Sequence, residues 1–180
     1  MAIPDNRGLI IVYTGGGKGK TTAALGTALR AVGQGWKVYI IQFVKGTWRY
    51  GELDGIKQLA PNVIIEQSGK GFCKICGDTV PIAEHKAAAQ AGLRRAKEII
   101  TAGIYQLVIL DEIFVALSLG LVSLQDVIGL IQERPPDVHM ILTGRDAPPE
   151  IIELADIVTE MKEIKHPFNK GLPAQKGIDY

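Results

Sequence analysis

The first residues whose types and spacing could do chemistry are Thr14-Gly15-Gly16-Gly17-Lys18-Gly19-Lys20-Thr21-Thr22. They follow an apolar β-branched run and open an Ala/Leu-rich stretch, the strand-to-helix context of a phosphate-cradling loop. Glycines let consecutive backbone N–H groups converge on phosphate oxygens, and the helix start adds partial positive charge. Lys20 would neutralise phosphate charge, and the Thr21 hydroxyl is a ligand type for Mg²⁺. Thr14 stands where such a loop usually has its first glycine. The plainer reading is a turn that only punctuates strand and helix.

A second constellation is Leu107-Val108-Ile109-Leu110-Asp111-Glu112, an apolar strand ending in two carboxylates. In an open parallel sheet the carboxyl ends of strands line the ligand crevice, which would bring Asp111 and Glu112 near Thr21 as metal-binding acids. The alternative is two solvated acids capping the next helix. Arg145, past another apolar run, could reach phosphate oxygens or pair with Asp146, and Lys45 stands in a similar position. His139 reads as the structural start of a strand, and His166, before Pro167, as a residue that orders the tail. Cys73-x-x-Cys76 is half of a zinc site, which two subunits could complete with four thiolates. A redox pair and a plain loop are its other readings.

The elements that must hold these groups alternate. Strand runs are expected at 9–13, 37–44, 63–65, 107–110, 138–142 and 157–159, and helical patterns at 21–34, 82–101, 124–132 and 149–154. Over 82–101, apolar Ala89, Leu93, Ala96 and Ile100 recur at helical spacing. Continuous apolar strands separated by helices indicate an α/β fold, a mostly parallel sheet of five to six strands with helices on both faces. Segments 45–51 and 68–81 lack periodicity, which in a small domain favours functional loops. One domain over 1–180 is expected, with an extended tail at 166–180.

Composition excludes several classes. The 180 residues carry 20 Lys+Arg against 19 Asp+Glu, and 47% are hydrophobic, a globular balance with no basic excess to suggest nucleic acid. The longest apolar run, 113–124, falls short of the ~20 residues that span a membrane. Residues 1–8 show no apolar targeting core, and two cysteines are too few for a disulfide scaffold. A cytoplasmic location is expected.

Beyond these motifs the chain resembles one family over residues 7–180, the P-loop ATP:corrinoid (cob(I)yrinic acid a,c-diamide / cob(I)alamin) adenosyltransferases. The resemblance rests on Arg7–Gly15, Gly17–Ala24, Gln42-Phe43-Val44-Lys45-Gly46 and Leu110-Asp111-Glu112. It continues in Arg134-Pro135, His139, Leu142-Thr143-Gly144-Arg145, Thr159-Glu160-Met161, His166-Pro167-Phe168 and Ala174–Ile178. Thr14 in place of the first glycine fits that family's pattern.

The resemblance implies a RecA-like P-loop fold that moves the 5′-deoxyadenosyl group of ATP to the cobalt of a Co(I) corrinoid, with inorganic triphosphate as leaving group. It implies ATP bound at Gly15, Gly16, Gly17, Lys18, Gly19, Lys20, Thr21, Thr22 and Arg145, and Mg²⁺ (or Mn²⁺) at Thr21, Asp111 and Glu112. Lys20, Thr21 and Glu112 would serve the reaction, and Phe72 would lie against the corrinoid. A homodimer and an electron donor for Co(II) are implied as partners. Two positions depart from the pattern: Lys74 stands where Trp is usual, and Phe114 where Asn commonly follows the acidic pair. An ordinary ATPase or small-molecule kinase, and a non-catalytic corrinoid or nucleotide carrier, are the rival functions.

Overall fold

The computed structural model describes residues 7–46, 50–71, 73 and 78–180. Six strands, β1 (Ile10–Thr14), β2 (Val38–Gln42), β3 (Val63–Gln67), β4 (Leu107–Asp111), β5 (His139–Thr143) and β6 (Ile157–Glu160), form one sheet in the order β3-β2-β4-β5-β1-β6. Every pairing is parallel. The helices are α1 (Lys20–Gly33), α2 (Gly51–Lys57), α3 (Ile82–Thr101), α4 (Ile113–Ser118), α5 (Leu124–Glu133) and α6 (Pro149–Leu154).

Alternation along the strands divides the core in two. Ile10, Val12, Val108, Leu110, Met140 and Leu142 point to the face covered by α3 to α6, while Ile11, Ile40, Ile109 and Ile141 point to the face covered by α1 and α2. Helices on both faces leave no solvated side to the central strands, which is why they read as unbroken apolar runs. On α1 the buried stripe is Ala24, Ala28 and Ala31. These small residues let the helix sit close to the sheet, so its N-terminus hangs over the end of β1. On α3, Ala89, Leu93, Ala96 and Ile100 are buried as their spacing requires.

Each strand ends on a polar residue: Thr14, Gln42, Gln67, Asp111, Thr143 and Glu160. These termini share the carboxyl edge of the sheet, where parallel α/β folds bind ligands. Strand β5 stands between β1 and β4, so the glycine loop and the acidic pair flank one intervening strand.

The expected strand and helix runs are present with small shifts of their ends, and two helices go beyond the sequence reading. Helix α2 carries two glycines and buries only Ile56, so it has little amphipathic signal. Helix α4 is one apolar run, IFVALS, without periodicity. The tail also differs from the extended segment expected of it. Pro167–Lys170 forms a single 3-10 turn, capped by His166 Nδ1 accepting from the Phe168 N–H and closed by Gly171 at φ 73°. His166 thus orders the tail as expected, but by folding it. Among the described residues no helix is long and apolar enough to cross a membrane.

Candidate functional site

The glycine loop joins β1 to α1 through left-handed turns at Gly15 (φ 95°) and Gly19 (φ 112°), conformations that glycine adopts without a Cβ clash. A Cβ at Gly15 would also meet the Met161 carbonyl oxygen at 2.5 Å. Lys20 Nζ donates to the carbonyls of Gly15 and Gly17, each at 2.7 Å, so its ammonium lies across the mouth of the loop. Burial lowers the Lys20 pKa and Arg145 adds to this, against Glu112, Asp111 and Asp146, which favour the charged form. Thr22 is exposed.

Two donors of the glycine loop are engaged by the C-terminal part of the chain. The Gly17 N–H donates to the Met161 carbonyl at 2.6 Å, and Lys18 Nζ pairs with Asp179 at 2.5 Å. The chain after β6 and the folded tail therefore lie against the glycine loop. Thr14 earns its place differently from a glycine: its Oγ1 accepts the Ala147 N–H at 3.1 Å, tying the loop that carries Arg145 to the end of β1.

The acidic pair lies across β5. Asp111, 1% exposed, accepts at Oδ1 from Thr21 Oγ1 (2.9 Å) and from Thr143 Oγ1 (2.7 Å), and at Oδ2 from Gln42 Nε2 (3.1 Å). Lys45 Nζ stands 3.6 Å from Asp111 Oδ2 and 2.6 Å from Glu52 Oε1. Burial works against the Lys45 charge, but Asp111 and Glu52 outweigh it and raise its pKa. Glu52 also pays for burial, yet Lys45 holds its pKa below the usual value.

Glu112 is not a solvated cap. It sits in the left-handed region at φ 62°, its side chain makes no capping bond to α4, and its N–H is held by Thr143 Oγ1 at 2.9 Å. A non-glycine residue held there costs of order 1–3 kcal/mol, and such outliers cluster at functional sites. Burial and then Asp111 raise its carboxyl pKa, opposed by Lys45, Lys20 and Arg145.

The structure thus gathers Lys20, Thr21, Asp111 and Glu112 at one crevice, with exposed Arg145 near enough to act on the charges of Lys20 and Glu112. The Thr21 hydroxyl and the Asp111 carboxylate are oxygen donors, the set that Mg²⁺ or Mn²⁺ takes, and Gln42 Oε1 is buried beside them without a hydrogen-bond partner. The sequence reading missed Gln42, Glu52 and Thr143 as members of this network. Their signal is positional, since Gln42 and Thr143 are buried polar residues ending apolar strands.

Elsewhere, His139 begins β5 as expected, accepting the Leu9 N–H at Nδ1 (3.1 Å) and stacking on Trp36. Phe114 is 1% exposed, and its Cβ lies where a side chain on Gly144 would go. This departure from the family pattern is therefore a core residue beneath the β5 end. Phe72, Lys74 and Cys76 lie outside the described residues.

Comparison with known proteins gives a family and a likeness of fold. A family model described as ATP:corrinoid adenosyltransferase BtuR/CobO/CobP matches residues 6–180. The corrinoid adenosyltransferase of Escherichia coli (strain K12) is 42% identical over 177 residues, 98% of this chain and 87% of that protein. Corrinoid adenosyltransferase CobA of Salmonella typhimurium is 40% identical over 177 residues, with the same shares of 98% and 87%. The Pseudomonas aeruginosa corrinoid adenosyltransferase is 39% identical over 176 residues, 98% of this chain and 85% of that protein. A solved KaiC-like protein from Pyrococcus horikoshii OT3 superposes with a TM-score of 0.52 at 17% identity, covering 91% of this chain and 76% of that one, a likeness of fold. With a matching family model over nearly its whole length and relatives of this similarity, the chain belongs to the ATP:corrinoid adenosyltransferase family.

Proposed function

We propose that this protein transfers the 5′-deoxyadenosyl group of ATP to the cobalt of a reduced corrinoid and releases inorganic triphosphate. The observation that carries the reading is the convergence of Lys20, Thr21 and Asp111 at one sheet edge, in a chain that belongs to this family. In the reaction the Co(I) electron pair attacks the ribose C5′. The cobalt–carbon bond forms as the C5′–O bond breaks, and the bonding pair leaves with the triphosphate.

Such chemistry needs no side-chain nucleophile. It needs C5′ held in line with cobalt and the growing charge on the triphosphate stabilised. Backbone N–H groups from Gly15 to Thr21, with Lys18, Lys20 and Arg145, suit the second task. Gly17 N–H and Lys18 become available as phosphate replaces the Met161 carbonyl and Asp179. Thr21 and Asp111 would hold Mg²⁺ or Mn²⁺, with Glu112 alongside, and the ion would supply charge neutralisation to the bound triphosphate. Phe72 is assigned to the corrinoid side. A homodimer, an external electron donor for Co(II) and a cytoplasmic location belong to the same proposal.

The test incubates the protein with ATP, Mg²⁺ and chemically reduced cobalamin, following the cobalt spectrum and the phosphate products together. Alkylcobalt with equimolar triphosphate is the expected result, lost in Lys20→Ala. Formation of ADP would assign phosphoryl chemistry instead, and binding without turnover would assign a carrier.

A further inference from the structure

Away from the nucleotide crevice, the described residues hold one cluster of metal-ligating types: Cys73, Asp78 and His85, whose ligand atoms all lie within 4.8 Å of one another. Cys73 is 6% exposed and His85 3% exposed. His85 Nε2 lies 3.2 Å from Asp78 Oδ1. Two N/O ligands bonded at about 2.0–2.1 Å to a tetrahedral ion stand roughly 3.3 Å apart, so this pair is already at ligand spacing. The set is one sulfur, one nitrogen and one oxygen, which suits Zn²⁺ and contrasts with the all-oxygen donors of Thr21 and Asp111.

The surroundings would hold such a site rigidly. His85 stands in the first turn of the twenty-residue helix α3. Cys73 is embedded in the apolar cluster that includes Phe43, Val44 and Ala89. Asp78 Oδ1 also accepts the Val80 N–H at 3.0 Å, a supporting contact of the kind that orients a ligating carboxylate. Ser68 Oγ donates to the Ala88 carbonyl at 3.0 Å, a second tie between this part of the chain and α3.

We propose that Cys73, Asp78 and His85 bind one zinc ion within a single chain, fastening Cys73 and Asp78 to the first turn of α3. Three protein ligands leave one position of a tetrahedral ion for a further donor. Binding deprotonates the Cys73 thiol and releases that proton to solvent. The site replaces the zinc bridge between subunits that Cys73-x-x-Cys76 alone suggested. It uses no residue of the nucleotide crevice and stands whether or not the chain transfers adenosyl groups.

The test uses the full chain, purified reduced in metal-free buffer. One zinc per chain is expected, with an X-ray absorption shell mixing sulfur with nitrogen and oxygen. After exchange, Co²⁺ should show a near-ultraviolet thiolate charge-transfer band. Cys73→Ser should abolish that band, and His85→Ala and Asp78→Asn should each weaken zinc binding by about 100-fold or more. Retained ATP binding shows that a variant has folded, and the absorption shell of the unmodified protein needs no variant. A zinc content far below one per chain, a shell of four sulfurs, or full zinc affinity in His85→Ala each overturn the proposal.

Discussion

The Thr21 hydroxyl donates to Asp111 Oδ1 at 2.9 Å across ninety residues of sequence, joining the start of α1 to the end of β4. The same oxygen accepts from Thr143 at 2.7 Å, so the strand between them closes the network. Thr143→Val removes this donor and leaves the Glu112 N–H without its acceptor. An unsatisfied buried group costs about 1–3 kcal/mol. The expected result is a Tm lower by roughly 2–12 °C, since about 1 kcal/mol corresponds to 2–4 °C in a chain of this size. An approximately tenfold loss in kcat/KM for ATP should accompany it. Thr143→Ser, which keeps the hydroxyl, should restore both, and calorimetry with steady-state kinetics reads the pair.

Glu112 links activity to pH. Burial and Asp111 raise its pKa, so it takes up a proton at a higher pH than an ordinary carboxylate. If its anion serves the Mg²⁺–ATP site, kcat/KM for ATP falls as pH drops through that raised value. Glu112→Gln should lower the plateau and flatten the acid limb of the profile. The stability effect has the opposite sign. With a raised folded pKa, stability is lost as pH rises from 4.5, where the unfolded carboxyl ionises, up to the higher folded value, so Glu112→Gln should raise Tm near neutral pH. An unchanged acid limb in the variant would remove Glu112 from the reaction.

Lys45 bridges Glu52 and Asp111, and all three side chains are at most 17% exposed. Lys45→Met leaves two carboxylates facing each other without their cation. The expected cost is about 3 kcal/mol, or roughly 6–12 °C in Tm. Raised folded pKa on Lys45 means its contribution is fully present below 10.5 and is lost as pH rises through the higher folded value. Lowered folded pKa on Glu52 means its share is present above 4.5 and is lost as pH falls through the lower folded value. Denaturation curves of parent and variant should therefore differ most between those limits and converge outside them.

Asp179 holds Lys18 in a pair that is part exposed, so its release should have a small, salt-sensitive effect. Asp179→Asn should tighten ATP binding by about 2–3-fold at low ionic strength and leave it unchanged at high salt. Isothermal titration at two salt concentrations checks this. Weaker ATP binding in the variant would show that the tail supports the nucleotide site instead of competing for Lys18.

His139 sets an acid limit to the fold. Its Nδ1 accepts from the Leu9 N–H and therefore needs the neutral ring, and burial, with Arg134, lowers its pKa. Unfolded chains bind this proton near pH 6.5 and the folded chain only at lower pH, so stability falls as pH drops below 6.5. His139→Asn should be less stable at neutral pH and show a shallower decline below it. Parallel stability profiles for the two proteins would rule out this group as the source.

Much of the molecule follows from local residue order. The run from Thr14 to Thr22 specifies a phosphate loop, because glycine spacing, a following lysine and a hydroxyl act over one turn of chain. Unbroken apolar strands between helices specify a parallel sheet buried on both faces, since only that arrangement removes both strand faces from water. Asp111 and Glu112 are legible for the same reason, as charges at the end of a run that must be buried. Pairing between distant strands is not local, and it decided the rest. The insertion of β5 between β1 and β4 turned Thr143 into the clamp on Asp111 and Glu112, a role its own neighbours do not encode. Gln42, Lys45 and Glu52 converge only because β2 pairs beside β4 in the register Gln42 to Asp111. In the same way Cys73 meets Asp78 and His85 through the docking of α3, while sequence spacing pointed only to Cys76. Periodicity records which face a residue shows to the core; which residues meet there depends on strand order and helix docking, which only the folded chain defines.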